Sequence, residues 1–184
     1  MNTMTIPKKY TYNDYLLIED EKRYEVMKGE LIMVPAPFTI HQRILDNLGF
    51  FINKYVRDKK LGKILYAPTD VVFAEDVVVQ PDILFVSNER RDIIKEAAII
   101  GSPDLVIEIV SPSTASYDTI EKREVYEKYG VKEYWLVFPQ EKAVEVLTIE
   151  KGIYKEFCKA RKTGMAKSKI IEGLTVEIKE VFEG

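Results

Sequence analysis

Val79-Gln80-Pro81-Asp82-Ile83-Leu84-Phe85-Val86 and, after a short interval, Asp104-Leu105-Val106-Ile107-Glu108-Ile109-Val110 decide how this chain is read. Each is a strand-like apolar run with an acid set inside it, Asp82 in the first and Glu108 in the second. A carboxylate among Val, Ile and Leu is costly to bury unless something pairs with it. Two of them on neighbouring strands repel, and a divalent cation is the commonest compensation. One reading is therefore a site for a hard cation, Mg²⁺ or Mn²⁺, of the kind used in phosphoryl transfer. The other is that one or both acids face solvent from half-exposed strands.

The flanking segments narrow the choice. Pro81-Asp82 followed by Glu108-Ile109-Val110 resembles the PD-(D/E)XK nuclease signature, with valine where that signature has lysine. Downstream stand Ser111-Pro112-Ser113-Thr114, Asp118, Lys122, Tyr126 and Gly130-Val131-Lys132-Glu133-Tyr134-Trp135-Leu136-Val137. Upstream stand Tyr24-Glu25-Val26-Met27-Lys28-Gly29-Glu30-Leu31 and a helix opening at His41. In this order, from about Tyr10 to about Leu147, the motifs resemble a large bacterial family of restriction-endonuclease-like proteins called Uma-two, long carried as a domain of unknown function.

The resemblance implies an α/β fold of restriction-endonuclease type, a mixed β-sheet flanked by helices. It also implies metal-dependent hydrolysis of DNA phosphodiester bonds, with Mg²⁺ or Mn²⁺ as cofactor and DNA as partner. Asp82 and Glu108 are then the catalytic ligands, and the Ile109 carbonyl is a third metal-facing oxygen. With Val110 in the signature lysine's place, Lys122 becomes the cation that orients water. It lies on the first turns of the helix after the Glu108 strand, with Tyr126 one turn along the same face. Read without the resemblance, Lys122 is more simply a surface lysine beside Glu121 that lies over Tyr126. Glu25 and Glu30 are further candidate ligands. His41 is either a pocket residue or a hydrogen-bonded structural histidine.

Composition sets the outer limits. A chain of 184 residues, 46% hydrophobic, can bury one core, and a single domain over residues 1–184 is expected. One cysteine, Cys158, and one histidine, His41, exclude a Cys/His zinc cluster, so metal ligands must be mostly oxygen. The N-terminal Met1-Asn2-Thr3-Met4-Thr5 lacks signal-peptide character, and no long apolar run occurs, so a soluble, cytoplasmic protein without a membrane partner is expected. With 30 acidic against 27 basic residues no global field draws nucleic acid. DNA contact is then expected from a local patch, with Lys159, Arg161 and Lys162 of the Lys151–Lys169 segment as the candidates, unless these form an ordinary solvated face.

A Ser-His-Asp hydrolase is disfavoured because no nucleophile-elbow glycines surround any serine, and Gly-rich phosphate loops are absent. The rival from another class is a non-catalytic descendant of the nuclease fold that binds or assembles, as a homodimer through apolar C-terminal β-hairpins.

Periodicity supplies the elements. Thr11 with Asp14 caps a short helix, and Tyr24–Met27 with Leu31–Val34 form a hairpin. Thr39 with Gln42 caps a long helix whose apolar face carries Ile44, Leu48, Ile52 and Val56. Strands are expected over Lys63–Tyr66, Asp70–Phe73 and Val77–Val86, a helix over Arg90–Ala98, and a strand over Asp104–Val110. Asp118 with Glu121 is expected to cap a helix running to Tyr129. Tyr134–Phe138, Val144–Ile149 and Ile153–Cys158 form successive hairpins, and Thr175–Ile178 adds a strand.

Overall fold

The structure, a computed structural model, describes residues 8–183, so the expectation for Met1–Thr5 falls outside the described residues. The cap on α1 (Tyr12–Leu16) is as expected: the Thr11 hydroxyl accepts from the Asp14 amide, and the Asp14 carboxylate accepts from the Thr11 amide. A hairpin of β1 (Arg23–Met27) and β2 (Glu30–Val34) follows, turning through Lys28 and Gly29, both at positive φ. The helix α2 (Thr39–Asp58) buries Ile44, Leu48, Ile52 and Val56. Its cap differs from expectation, because Phe38 takes the N-cap position and makes no side-chain bond there, while Thr39 is already helical.

The chain continues through β3 (Gly62–Tyr66), β4 (Val71–Ala74), β5 (Val77–Val79) and β6 (Ile83–Ser87). The run read as one strand from Val77 to Val86 is thus two, and they belong to different sheets. Gln80-Pro81-Asp82 forms the break. Pro81 has no amide hydrogen and biases Gln80 away from ladder geometry. The Gln80 amide donates instead to Glu25 Oε1 at 2.7 Å. Asp82 therefore stands before β6, outside any strand.

A 3₁₀ segment (Asn88–Ile93) replaces the expected helix to Ala98, because Ile99 leaves to pair in parallel with β4 as part of β7 (Ile99–Ile100). Then come β8 (Leu105–Ile109), a π turn (Tyr117–Lys122), α3 (Arg123–Lys128), β9 (Glu133–Phe138), β10 (Ala143–Glu150), β11 (Ile153–Arg161), β12 (Met165–Lys167), β13 (Thr175–Glu177) and α4 (Ile178–Phe182). Asp118 sits inside the π turn and does not cap it. The Ser111–Thr114 turn, with side chains and amides bonded to one another, precedes that helical stretch. Ile178 opens α4 and is not in the strand.

The sheets are mixed. One runs β11-β10-β9-β8-β6-β3 and the other β2-β1-β5-β4-β7, with β12 and β13 as a separate pair. Residues alternate across the six-stranded sheet as strand geometry requires. Ile83, Phe85, Leu105, Ile107 and Ile109 pack under α2 and the C-terminal elements. Leu84, Val86, Val106 and Val110 pack on the other face with Tyr126, Tyr134 and residues of the five-stranded sheet. The parallel pair β8/β9 requires a crossover, and the π turn with α3 provides it over the second face. That crossover sets a helix directly above Glu108.

Candidate active site

Glu108 leaves β8 between Ile107 and Ile109, on the face that carries Val106 and Val110. Its Oε1 accepts from Lys122 Nζ at 3.0 Å and from the Tyr126 hydroxyl at 2.6 Å. Lys122 and Tyr126 are four residues apart, so both project from one helix face onto the same carboxylate. The ammonium also lies 3.1 Å from Glu25 Oε1 and 3.8 Å from Asp118 Oδ1. Burial alone would lower the Lys122 pKa, but Glu108, Glu25 and Asp118 together push it well above the ordinary value. Lys122 is held as a cation.

The acids around it are overcrowded. Burial, followed by Asp82, Asp118 and Glu25, raises Glu108 well above the usual carboxylate range against the pull of Lys122. Burial likewise pushes Asp118 up to about 6, although Lys122 and the Thr114 hydroxyl, which donates to it at 2.6 Å, favour its charge. Burial and Glu108 hold the Tyr126 hydroxyl protonated.

Asp82 is fixed from two sides. The Ile109 amide donates to its Oδ2 at 2.7 Å, and His41 Nε2 stands 3.0 Å from the same oxygen. His41 Nδ1, Glu25 Oε2 and the Tyr117 hydroxyl are buried without partners among the described residues.

Behind Glu25 lies a polar brace. Arg23 Nε and Nη2 donate to Gln80 Oε1 at 3.0 and 2.9 Å. Gln80 Nε2 donates to Asp70 Oδ1 at 2.8 Å, and Tyr15 donates to the same oxygen at 2.9 Å. Gln80 thereby holds Arg23 through its side chain and Glu25 through its amide.

Arg23, Glu25, His41, Asp82, Glu108 and Lys122 all line one cavity of about 480 Å³. Among the described residues no three His, Cys, Asp or Glu side chains form a ready metal cage. The donor set nonetheless fits a partly hydrated hard cation, which takes one or two carboxylates and keeps several waters. Four buried or half-buried carboxylates share the cavity with one ammonium, one imidazole and the Arg23 guanidinium, and the orphaned Glu25 Oε2 adds unspent acceptor capacity.

Sequence reasoning brought together Asp82, Glu108, Ile109, Lys122, Tyr126, His41 and Glu25, which the structure places around this cavity or against its lining. Glu30 lies apart, exposed at the hairpin turn opposite Met27. Lys159 and Arg161 lie on β11 and pair with Glu145 at 3.0 Å and Glu141 at 3.5 Å, and Lys162 follows them. None of the three lines the cavity. Asp118, Arg23 and Gln80 were not singled out as site residues. The four-residue spacing of Asp118 and Lys122 was the available signal for the first; Gln80 before Pro81 marked the strand break.

The Uma2 family model, described as "Putative restriction endonuclease", matches residues 11–178. The chain belongs to the Uma2 family. A similar fold is seen in the crystal structure of "a putative nuclease belonging to DUF820" from Anabaena variabilis. That structure superposes with a TM-score of 0.77 and 24% identity, covering 94% of this chain and 97% of the other. An uncharacterized protein of Synechocystis sp., sll1609, is 23% identical over 141 residues, 74% of this chain and 79% of that protein. The restriction-endonuclease-like fold expected for a Uma2 protein is thus the fold observed. No helix among the described residues is long and apolar enough to cross a membrane.

Proposed function

We propose that this Uma2 protein is a metal-dependent nuclease that hydrolyses DNA phosphodiester bonds, with Asp82 and Glu108 as ligands for Mg²⁺ or Mn²⁺. The observation that carries the reading is Lys122: a helix-borne ammonium sits 3.0 Å from Glu108 in the cavity that also holds Asp82. The lysine absent at Val110 is matched by one arriving from the crossover helix. The Ile109 carbonyl, next to Glu108 on β8, supplies the further oxygen.

A bound divalent cation supplies charge stabilisation at the phosphoryl oxygens and lowers the pKa of a bound water. The chain's own groups do the rest. Tyr126 and Lys122 clamp one oxygen of Glu108 and so orient the other. Because Lys122 is held protonated, it donates hydrogen bonds to water or phosphate and does not act as the base. The Ile109 amide and His41 fix Asp82 in the same way. Glu25 and Asp118 keep Lys122 charged.

The test is cleavage of plasmid DNA by purified protein in Mg²⁺ or Mn²⁺, with Asp82→Ala as control. Metal-dependent cleavage lost in the variant supports the reading. No cleavage with either metal, together with unchanged melting across saturating metal, overturns it in favour of the non-catalytic scaffold.

A further inference from the structure

The reacting groups lie below the surface. Side-chain exposure is 15% for Asp82, 4% for Glu108 and 6% for Lys122. A phosphate in intact duplex is carried on a stiff rod and reaches acids of this kind only across an open groove. Here they line a cavity of ligand-binding size. An unpaired strand has no such restriction, since its backbone bends and its bases swing out to stack on apolar side chains.

The lining offers both contacts such a strand needs. Between β2 and α2 the chain passes through Val34-Pro35-Ala36-Pro37-Phe38, and each of these residues borders the cavity. Phe38 is 67% exposed, and of the exposed aromatics Phe38, Phe50 and Phe157 it is the one that borders the cavity. Of the cations at the cavity, His41 faces Asp82 and Lys122 faces three carboxylates. Arg23 has no carboxylate within ion-pair distance among the described residues. Two of its donors are spent on the neutral oxygen of Gln80, which aims the guanidinium without neutralising it. The long basic surface that duplex binding draws upon is weak, for the chain carries a net charge of −3 and Lys159 and Arg161 are already paired.

We infer that the cavity takes an unpaired nucleotide of single-stranded DNA, its phosphate held by Arg23 and its base stacked on Phe38. The inference rests on the nuclease reading above for the identity of the ligand, and binding can be measured without cleavage. The probe is a fluorescein-labelled single strand of about a dozen nucleotides, within the usual footprint of single-strand sites. It is titrated with the full chain in EDTA and again in Ca²⁺, and competed with the unlabelled strand or its blunt duplex.

The single strand should compete at least about tenfold better than the duplex. Phe38→Ala and Arg23→Gln should each weaken single-strand binding by about tenfold, with Arg23→Lys recovering part of the loss. Phe38 is exposed, so its variant should melt with the wild type and report stacking alone. Duplex competing as well as single strand, or both variants binding like wild type, overturns the inference. Tight single-strand binding in a protein that cleaves nothing would retain it and remove the nuclease reading. Cleavage of duplex by a protein that ignores single strands would do the reverse.

Discussion

Lys122→Met removes the ammonium that lies among Glu25, Glu108 and Asp118 while keeping nearly the same side-chain length. The wild-type cation lies 3.0 and 3.1 Å from two carboxylates that are 4% and 1% exposed. Deleting one partner of so buried a pair leaves uncompensated charge and costs about 3–5 kcal/mol. That is a large share of the ~5–15 kcal/mol that holds a domain folded. Urea denaturation of wild type, Lys122→Met, Glu108→Gln and the double variant gives the coupling directly. The double variant should be more stable than the sum of singles predicts, with a coupling of about 0.5–3 kcal/mol. In parallel, cleavage by Lys122→Met should fall by on the order of a hundredfold or more, the usual scale for losing one preorganised charged donor at the reacting group. Lys122→Arg should not restore it, since a fork of donors does not fit where a point charge meets separate oxygens. A Lys122→Met protein within about 1 kcal/mol of wild type, with no coupling to Glu108, would refute the reasoning about the cluster. Full activity in that variant would remove lysine from the proposed chemistry.

Other outcomes test other parts. Saturating Mn²⁺ should raise the melting temperature by about 5–10 °C at a hundred times the dissociation constant, and Asp82→Asn should abolish the shift. Glu133→Gln should cost about 1–3 kcal/mol, because its carboxylate accepts from Trp135 Nε1 and from the Lys169 and Ile170 amides. Hydrogen exchange at those two amides should quicken in the variant. Asp104, despite burial, is held below its ordinary pKa by Lys132 and the Ser87 amide. Its contribution is therefore present above the unfolded carboxylate pKa and lost as pH falls through the folded value, so urea stability measured between neutral pH and about pH 3 should fall less in Asp104→Asn than in wild type. Replacing Lys159, Arg161 and Lys162 by glutamine should change the salt slope of DNA binding by less than about one phosphate contact, since acids already face two of them.

The long helix, the first hairpin and the C-terminal strands were legible because their apolar residues recur at the period of the element itself. Ile44, Leu48, Ile52 and Val56 are one buried stripe in sequence and in space. Val77–Val86 was misread for the opposite reason. Val77, Val78 and Val79 and Ile83 through Val86 are all buried, so two apolar runs only three residues apart conceal the passage from one sheet to another. Only Pro81 betrayed it. Asp82 and Glu108 were legible as charges within apolar runs, whereas Lys122, between Glu121 and Arg123, was legible chiefly through the family resemblance. Glu25 and Glu30 looked alike in sequence because a hairpin's register against a second sheet is a long-range fact. The β1–β5 pairing at Val26 and Val78 buries the first and leaves the second in solvent.

The strand break at Gln80 has a consequence for assembly of the molecule. Glu25 comes from the five-stranded sheet, Glu108 from the six-stranded one, and Lys122 from the helix laid across them, so the three charges meet only where those bodies adjoin. A chain with one sheet formed and the other still loose has all its reactive residues but no centre. On the proposed nuclease reading, competence for cutting is a property of the finished seam, and a partly folded copy would be harmless to DNA.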